Sequence, residues 1–213
     1  MVSIESLREK YKETPLIREE LPPDPVDQFA IWFKQAQKAN LHYPNAMSVA
    51  TASKSMEVSS RIVLLRYFDQ RGFSFFSGYE TKKAEQIVEN PRVALLFSWL
   101  DLERQVKISG TAEKISAKES LQFFTSRSRD SQIGAWISQS SDVISSKNFL
   151  KAKLEGVKDS FRDKQIPLPG KWGGYRVKPE TVEFWQGHAN GLHDRFVYTR
   201  LDLNNWEIQR LLP

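Results

Sequence analysis

Short runs of β-branched and aromatic residues, separated by polar turns, occupy most of the chain after residue 45. Runs of this kind, bounded by Gly, Pro, Asn or Asp, predict β-strands. The predicted strands are 46–52, 61–68, 73–77, 93–99, 105–115, 175–177, 181–185, 195–200 and 206–210. The polar segment 69–72 ends in glycine and predicts a hairpin turn between two of these strands.

Apolar residues at helical spacing predict helices between the strands, at 3–12, 25–40, 81–89, 117–127 and 145–163. In the second helix, Asp24 and Pro25 form an N-cap and first-turn pair, and Phe29, Trp32 and Phe33 mark the buried face. The order of elements predicts a mainly β, α+β fold, an antiparallel β-barrel with peripheral helices. No glycine-rich phosphate loop follows a strand, which argues against a Rossmann or P-loop site.

Composition excludes several function classes. The chain contains no cysteine, which excludes disulfides, thiolate catalysis and cysteine-bound zinc. His42 and His188 have no convincing metal partners in the sequence, so we predict no metal site. No apolar run reaches the roughly 18 residues that span a bilayer, so we expect a soluble, cytoplasmic protein that does not bind membranes. The net charge of +5 is spread along the chain, which argues against nucleic acid and suits small phosphorylated ligands.

Two segments place cations where a phosphate could bind. Arg61 and Arg66 bracket four apolar residues, and an ideal strand places them on opposite faces. That segment is either a core strand with an arginine at each end or one wall of an anion site, for which the planar guanidinium is suited. Further along, Thr81 can cap a helix whose first turn contains Lys82 and Lys83. Lysines are disfavoured there unless an anion is present, so they mark a phosphate site or are ordinary surface lysines.

Three more segments concentrate side chains that can bind ligands or take part in catalysis. Segment 125–131 places hydroxyls and guanidiniums after a helix and is a second candidate phosphate clamp. Segments 183–187 and 192–196 bring aromatic, imidazole and guanidinium groups close together in the sequence. Two phosphate-competent sites and an aromatic wall suit a phosphorylated cofactor beside a phosphorylated substrate. Composition and spacing alone do not identify a flavin.

Eight short segments, taken together in their order along the chain, identify a protein family more specifically than any one of them does alone. They are RIVLL at 61–65, LERQV at 102–106, RDSQIGAW at 129–136, QSS at 139–141, WGG at 172–174, EFWQG at 183–187, LHDRF at 192–196 and RLLP at 210–213. In this order the chain resembles the pyridoxine/pyridoxamine 5'-phosphate oxidase family over nearly its whole length. The spacing between Trp136 and Gln139 is one residue shorter than the family pattern, which shifts the alignment around 139–142 by up to one residue.

The resemblance implies one FMN-binding split-barrel domain, 1–213, with an N-terminal arm at 1–24 and the barrel with its helices at 25–213. It implies a homodimer with FMN at the subunit interface. The implied FMN-binding residues are Arg61, Ile62, Val63, Leu64, Leu65, Arg66, Phe76, Ser77, Lys82, Lys83, Gln105, Gln139, Ser140, Trp185 and Arg195. The implied substrate-binding residues are Arg8, Tyr11, Arg66, Phe123, Arg127, Ser131, Gly191 and His193. His193 and Arg195 are the implied catalytic residues, and Arg8 and Tyr11 belong to a mobile lid.

Members of this family oxidise the C4' alcohol or amine of pyridoxine or pyridoxamine 5'-phosphate to pyridoxal 5'-phosphate, in vitamin B6 salvage. Hydride passes to the flavin, and dioxygen reoxidises it with formation of hydrogen peroxide. We therefore expect an FMN-dependent oxidase. The competing interpretations are a flavoprotein that binds FMN or pyridoxal 5'-phosphate as a carrier or sensor, and a flavin reductase that uses nicotinamide.

Five positions depart from the family pattern. Gly191 stands where the family has an arginine over the substrate, Arg66 replaces a lysine, and Phe123 replaces a tyrosine that reaches the substrate phosphate. On the cofactor side, Phe76 replaces tyrosine and Lys82 replaces arginine. The more consequential changes lie on the substrate side, so we expect FMN binding to be retained and turnover to be slower or shifted in substrate preference.

Overall fold

Strands and helices alternate through the residues that the computed structural model describes, which are 15–189, 191–203 and 205–213. The strands are β1 (Ala46–Ala52), β2 (Val58–Leu64), β3 (Tyr67–Asp69), β4 (Gly72–Gly78), β5 (Arg92–Trp99), β6 (Arg104–Lys114), β7 (Trp172–Gln186), β8 (Asp194–Arg200) and β9 (Trp206–Arg210). The helices are α1 (Pro25–Lys38), α2 (Lys82–Glu89), α3 (Ala117–Ser126), α4 (Arg129–Ile137) and α5 (Lys147–Ser160). The helix predicted at 3–12, with Arg8 and Tyr11, lies outside the described residues.

The strands form one sheet in the order β2-β1-β5-β6-β7-β4-β3, and β8 pairs with both β7 and β9. The pairs β3–β4, β4–β7, β7–β8 and β8–β9 are all antiparallel. The predicted α+β class with an antiparallel sheet is therefore confirmed. No helix in the described ranges is both long enough and apolar enough to cross a membrane.

The chain divides into two compact units, which we describe separately. The first unit comprises the described residues within 1–48, 94–109 and 179–213. Its core is aromatic: the ring centroids of Phe29 and Phe97 are 4.9 Å apart, and those of Trp32 and Phe184 are 5.3 Å apart. Helix α1 supplies two of these rings from one face, as predicted, and the Asp24 carboxylate caps it by accepting the Val26 N–H at 2.7 Å.

The second unit comprises residues 49–93 and 110–178. Here α3 and α4 pack against the sheet through a cluster that includes the fully buried Phe124 together with Ile133 and Trp172. Helix α3 begins with a capping box, in which Ser116 and Glu119 each accept a hydrogen bond from the other's backbone N–H. This unit contains the phosphate-competent segments 61–66, 77–83 and 125–131.

The single strand predicted at 61–68 is wrong. Strand β2 ends at Leu64, the buried Leu65 interrupts the ladder, and β3 begins at Tyr67. The pairing partner changes at this point, because β2 lies beside β1 whereas β3 pairs with β4. The N–H of Arg66 donates to the carbonyl of Ser74 at 2.9 Å, which redirects the chain. A run of apolar letters cannot reveal such a change of partner.

The two strands predicted at 175–177 and 181–185 are one strand, β7. Pro179 lies inside this strand, although proline has no N–H to donate to a ladder. It is accommodated because it lies between the part of β7 that pairs with β4 and the part that pairs with β8. Pro179 therefore marks a change of partner along one continuous strand.

Helix α4 was not predicted. The Ser128 hydroxyl caps it by accepting the Ser131 N–H, and Ile133 and Trp136 lie three residues apart on its inner side. Arg129 donates to the carbonyls of Phe161, Arg162 and Lys164 at the end of α5. These signals were present in the RDSQIGAW segment, but its length of nine residues gives weak periodicity.

Candidate functional site

A cavity of about 400 Å³ in the second unit gathers most of the predicted phosphate-binding residues. Its lining includes side chains from β2, β4, α2 and α3, and none of the lining residues is Asp or Glu. The lining residues are Arg61, Ile62, Val63, Leu64, Arg66, Phe76, Ser77, Gly78, Thr81, Lys83, Phe123, Arg127, Ser138, Ser140 and Trp172. Arg61 and Arg66 share the cavity despite their odd spacing, because the chain changes direction at Leu65.

One part of the cavity contains Arg61 and Lys83. Arg61 donates to the Val49 carbonyl at 3.1 Å and to Thr51 Oγ1 at 2.7 Å, which fixes its guanidinium. Lys83 Nζ donates to Ser77 Oγ at 3.0 Å. Burial, and after it the charge of Arg61, lowers the pKa of Lys83, and burial lowers the pKa of Arg61. Two desolvated cations without a lining carboxylate form a site for an anion.

Thr81 and Lys82 differ from their predicted roles. Thr81 is the N-cap residue of α2, but its hydroxyl donates backwards to the Gly78 carbonyl at 2.9 Å and does not cap the helix. That hydroxyl also accepts a hydrogen bond from Lys83 Nζ at 3.3 Å. Lys82 forms an exposed ion pair with Glu57 and is not among the lining residues. Adjacent lysines in the first turn of one helix therefore have different environments.

The other part of the cavity is built on the Phe123 ring. The guanidinium carbons of Arg66 and Arg127 lie 5.5 and 5.9 Å from its centroid, and Phe76 stacks on it at 3.9 Å. Arg127 also lies 5.0 Å from the Trp172 ring. Its Nη1 is buried and has no hydrogen-bond partner among the described residues. Burial, and after it the charge of Arg66, lowers the pKa of Arg127. An unpaired buried donor of this kind is costly unless a ligand accepts from it.

Besides Lys82, three predicted residues of this unit do not line the cavity. The side chain of Leu65 is buried, with 4% of its surface exposed. Gln139 donates its side-chain amide to the Trp136 carbonyl at 2.8 Å. Ser131 lies in the first turn of α4, where its hydroxyl accepts from Ser128 Oγ at 2.9 Å.

Sequence reasoning missed three lining residues, Gly78, Ser138 and Trp172, as members of the site, and it named Thr81 only as the cap of the helix at the candidate phosphate site. Trp172 stood in the WGG segment, but only the fold shows it against Arg127. Gly78 is required by close packing, since a Cβ there would lie 2.2 Å from the Gln139 carbonyl oxygen.

A second cavity, of about 430 Å³, also includes Arg66 but is chemically different. Its other arginines are paired: Arg71 with Asp69, and Arg176 with Glu119 at 2.8 Å. Its lining therefore carries its own counter-charges and is less suited to an anionic ligand than the first cavity.

The predicted residues Gln105, Trp185, Gly191, His193 and Arg195 belong to the first unit. The rings of Trp185 and His193 lie 4.7 Å apart, and the His188 N–H donates to His193 Nδ1 at 3.0 Å. Gly191 has a positive φ of 74°, which glycine adopts without strain. Gln105 is half-buried on β6.

The Glu183 carboxylate holds Arg195, two residues after His193. Glu183 accepts hydrogen bonds from Arg195 Nε and Lys107 Nζ, both at 2.9 Å. Burial raises the pKa of Glu183, but these hydrogen bonds and charges outweigh it and hold the pKa below its usual value. Arg195 also donates to the carbonyl of Leu212 at 2.7 Å, so it ties β8 to the C-terminal residues.

Arg104, next to Gln105, was not predicted as a functional residue. It is buried over the Trp32 ring at 4.4 Å and donates from Nε to Gln186 Oε1 at 2.7 Å. Burial lowers its pKa to about 10. Gln186 in turn donates to the Leu102 carbonyl at 3.2 Å. Through Gln186, Arg104 therefore holds the turn at 100–103, which precedes β6, against the end of β7. Among the described residues there is no group of three or more His, Asp or Glu that could hold a metal ion.

Comparison with protein families gives two matches. The family described as pyridoxamine 5'-phosphate oxidase matches residues 33–161, and the pyridoxine 5'-phosphate oxidase C-terminal dimerisation region matches residues 172–213. A protein from Crocosphaera subtropica named pyridoxine/pyridoxamine 5'-phosphate oxidase is 56% identical over 214 residues, with 100% of both chains covered. A protein of the same name from Aliarcobacter butzleri is 49% identical over 212 residues, again with 100% of both chains covered.

Solved structures agree on the fold. PhzG from Burkholderia lata, in complex with tetrahydrophenazine-1-carboxylic acid, is 27% identical with a TM-score of 0.87, covering 93% of this chain and 98% of that chain. A pyridoxamine 5'-phosphate oxidase-related, FMN-binding protein from Nostoc punctiforme has a TM-score of 0.72 at 15% identity, covering 91% of this chain and 100% of that chain. The predicted fold class, an antiparallel split β-barrel with peripheral helices, is thereby confirmed.

Proposed function

The chain belongs to the pyridoxine/pyridoxamine 5'-phosphate oxidase family, and from this premise we propose that it oxidises pyridoxine or pyridoxamine 5'-phosphate to pyridoxal 5'-phosphate with FMN as cofactor. Dioxygen is the terminal acceptor and is reduced to hydrogen peroxide. The family membership expected from the eight ordered segments is confirmed. The oxidase name of relatives that are 43–56% identical over 99–100% of this chain supports the activity.

The unpaired Nη1 of Arg127 is the single observation that carries the substrate side of the proposal. It is buried beside a second guanidinium, that of Arg66, and its environment opposes its charge. A phosphate dianion supplies the missing acceptor and the missing counter-charge together. We therefore assign the substrate phosphate to Arg66 and Arg127, with Phe123 as the ring on which both guanidiniums rest.

The cofactor phosphate is assigned to Arg61 and Lys83, with Ser77 assisting. The residues fit this group because both cations are desolvated, Ser77 already orients Lys83, and no carboxylate competes in the cavity lining. The backbone and side chains of residues 62–66 are assigned to the isoalloxazine. Lys82, Leu65, Gln139, Ser140 and Ser131 remain predicted contacts of the loaded dimer, as do Gln105, Trp185 and Arg195.

The protein's contribution to the reaction is anchoring and orientation. Bound FMN supplies the hydride acceptor and the group that dioxygen reoxidises. Two separate cationic anchors hold the two phosphorylated molecules at fixed points, so the C4' carbon of the substrate is oriented without contacts to that carbon itself. His193 and Arg195 are the assigned catalytic residues, and the Trp185 ring lies beside the His193 imidazole, tilted by 41°.

The assembly we propose is a homodimer with FMN at the subunit interface. The dimerisation region matched at residues 172–213 supports the homodimer. The single domain of 1–213, with an arm at 1–24 that contributes Arg8 and Tyr11, and the cytoplasmic location remain predictions. We also retain the prediction that the protein uses no metal.

The test is an aerobic assay of the purified FMN-loaded protein with pyridoxine 5'-phosphate, following pyridoxal 5'-phosphate and hydrogen peroxide in equal amounts. Unphosphorylated pyridoxine is the matched control, because it lacks the group that Arg66 and Arg127 bind. A parallel anaerobic sample reports whether substrate bleaches the flavin. Bleaching by NADH or NADPH, without the B6 substrate, would indicate a flavin reductase. A bound flavin that neither the substrate nor NADH or NADPH reduces would indicate a carrier and overturn the oxidase proposal.

A further inference from the structure

The loop between β7 and β8 contains two of the three histidines of the chain, His188 and His193. The His188 ring is directed inward, with 15% of its side chain exposed, and its Nε2 lies 2.7 Å from Asp194 Oδ2. A carboxylate only accepts hydrogen bonds, so His188 Nε2 carries a proton and donates it. His188 therefore does not take the place of the arginine that is missing at Gly191, because its imidazole is already bound to Asp194.

Asp194 is a rigid anchor for that ring. Its Oδ2 also accepts the Leu16 N–H at 2.9 Å, and its Oδ1 accepts from Arg210 Nη1 at 2.6 Å. Burial raises the pKa of Asp194, but these hydrogen bonds outweigh burial and keep the pKa below its ordinary value. A carboxylate that accepts three hydrogen bonds is held in position, and it holds the His188 ring in position as well.

The backbone of His188 acts on His193. Its N–H donates to His193 Nδ1 at 3.0 Å. A ring nitrogen that accepts a hydrogen bond has no proton, so the neutral imidazole of His193 carries its proton on Nε2. The same residue thus has its ring bound to Asp194 and its backbone bound to the assigned catalytic histidine.

We propose that His188 is a positioning residue that sets the tautomer of His193, so that His193 presents an Nε2–H donor to the substrate. This role rests on the proposed function. The chain of contacts runs from the Asp194 carboxylate to the His188 ring, through the loop backbone, to His193 Nδ1. Loss of the ring contact frees the loop and lets the His188 N–H leave His193, after which both neutral tautomers become populated.

The test combines ring NMR with kinetics on the FMN-loaded protein. Long-range ¹H–¹⁵N spectra resolve the imidazole nitrogens, and three histidines are few enough to assign by single substitutions. The variants are His188→Ala, which removes the ring, and His188→Gln, which keeps a side-chain N–H donor for Asp194. His42→Ala is the matched control, because His42 is an exposed histidine of the same unit.

We expect wild type, His42→Ala and His188→Gln to show one Nε2–H tautomer of His193, and His188→Ala to show a mixture. For pyridoxine 5'-phosphate, we expect His188→Ala to lower kcat on the order of tenfold, as loss of a hydrogen bond to a charged group would. KM should change less than about twofold, because phosphate anchoring sets binding. Recovery of kcat in His188→Gln completes the expected pattern.

Three outcomes overturn the proposal. In the first, His193 keeps a single Nε2–H tautomer in His188→Ala. In the second, wild-type His193 has its proton on Nδ1. In the third, kcat falls equally in His188→Ala and His188→Gln while thermal stability falls with it, which describes a merely structural residue. A wild-type protein without turnover would overturn the oxidase function, while the NMR result would still decide the tautomer.

Discussion

Replacing Arg127 by methionine should have opposite effects on stability and on substrate affinity. In the ligand-free protein the change removes a buried donor that has no partner, and recovers about 1–3 kcal/mol of desolvation cost. It also removes the cation–π contacts with Phe123 and Trp172, at a cost of about 1 kcal/mol together. The apo protein should therefore gain about 1 kcal/mol in unfolding free energy, or about 2–4 °C in Tm.

The same substitution should weaken binding of the phosphorylated substrate. A hydrogen bond to a charged group contributes about 1.5–3 kcal/mol, so affinity should fall by about 10- to 150-fold. The assays are urea denaturation of the apo protein, and binding of pyridoxine 5'-phosphate and of unphosphorylated pyridoxine to the FMN-loaded protein. Only the phosphorylated ligand should lose affinity.

The matched control is Arg162→Met, because Arg162 is an exposed arginine whose pair with Asp159 contributes little to stability. It should leave stability and both affinities nearly unchanged. The reasoning is refuted if Arg127→Met destabilises the apo protein by more than about 1 kcal/mol, which would show that Arg127 is structurally satisfied. Equal losses of affinity for both ligands would refute the assignment to the phosphate.

Three further predictions follow from charge and backbone geometry. Burial and the charge of Arg61 lower the pKa of Lys83, and a bound phosphate raises it, so FMN binding takes up protons. The affinity for FMN, measured by flavin fluorescence, should therefore weaken as the pH rises through the alkaline range, and Lys83→Met should flatten that dependence. Hydrogen bonds from Arg176 and Ser116 lower the pKa of Glu119 from 4.5 to about 2, so ionised Glu119 stabilises the fold above pH 4.5 and this stabilisation is lost as the pH falls through about 2. Glu119→Gln should remove this part of the pH dependence of the unfolding free energy, measured by urea titrations, and an unchanged pH dependence would contradict the prediction. At Gly191 there is open space for a Cβ, but φ is positive, so Gly191→Arg should cost about 1 kcal/mol of stability. If the missing arginine limits turnover, the variant should raise kcat/KM about a hundredfold, whereas unchanged KM and kcat would show that Gly191 is not limiting.

Helices and strands whose bounds are set by a local sequence pattern were predictable. Strands β1 and β9 and the start of α1 agree with their predicted bounds, because alternation or an Asp-Pro cap specifies each within a few residues. Elements defined by a change of pairing partner were not predictable. The break at Leu65 and the continuity of β7 through Pro179 both depend on which strand lies alongside, and no local pattern contains that information.

In the candidate site, too, the residue types were predictable from the sequence and their spatial arrangement was not. Lys83, the three arginines and the two phenylalanines of the cavity were identified from their types and order, because phosphate binding needs cations and the ordered segments are specific. Their grouping was not predicted. The turn at Leu65 brings Arg61 and Arg66 into one cavity, and the helix geometry directs Lys83 inward while Lys82 pairs with Glu57.

The sequence by itself determined the fold class, the family and the kind of ligand, since each depends on residue types and their order along the chain. Only the tertiary structure decided which donors lack a partner and which are already bound. Arg127 Nη1 is left unpaired because the Phe123 and Trp172 rings bury it, whereas the His188 ring is held by a carboxylate six residues away in the chain. Hydrogen-bond satisfaction depends on distances between atoms in space, and these exist only once the chain has folded.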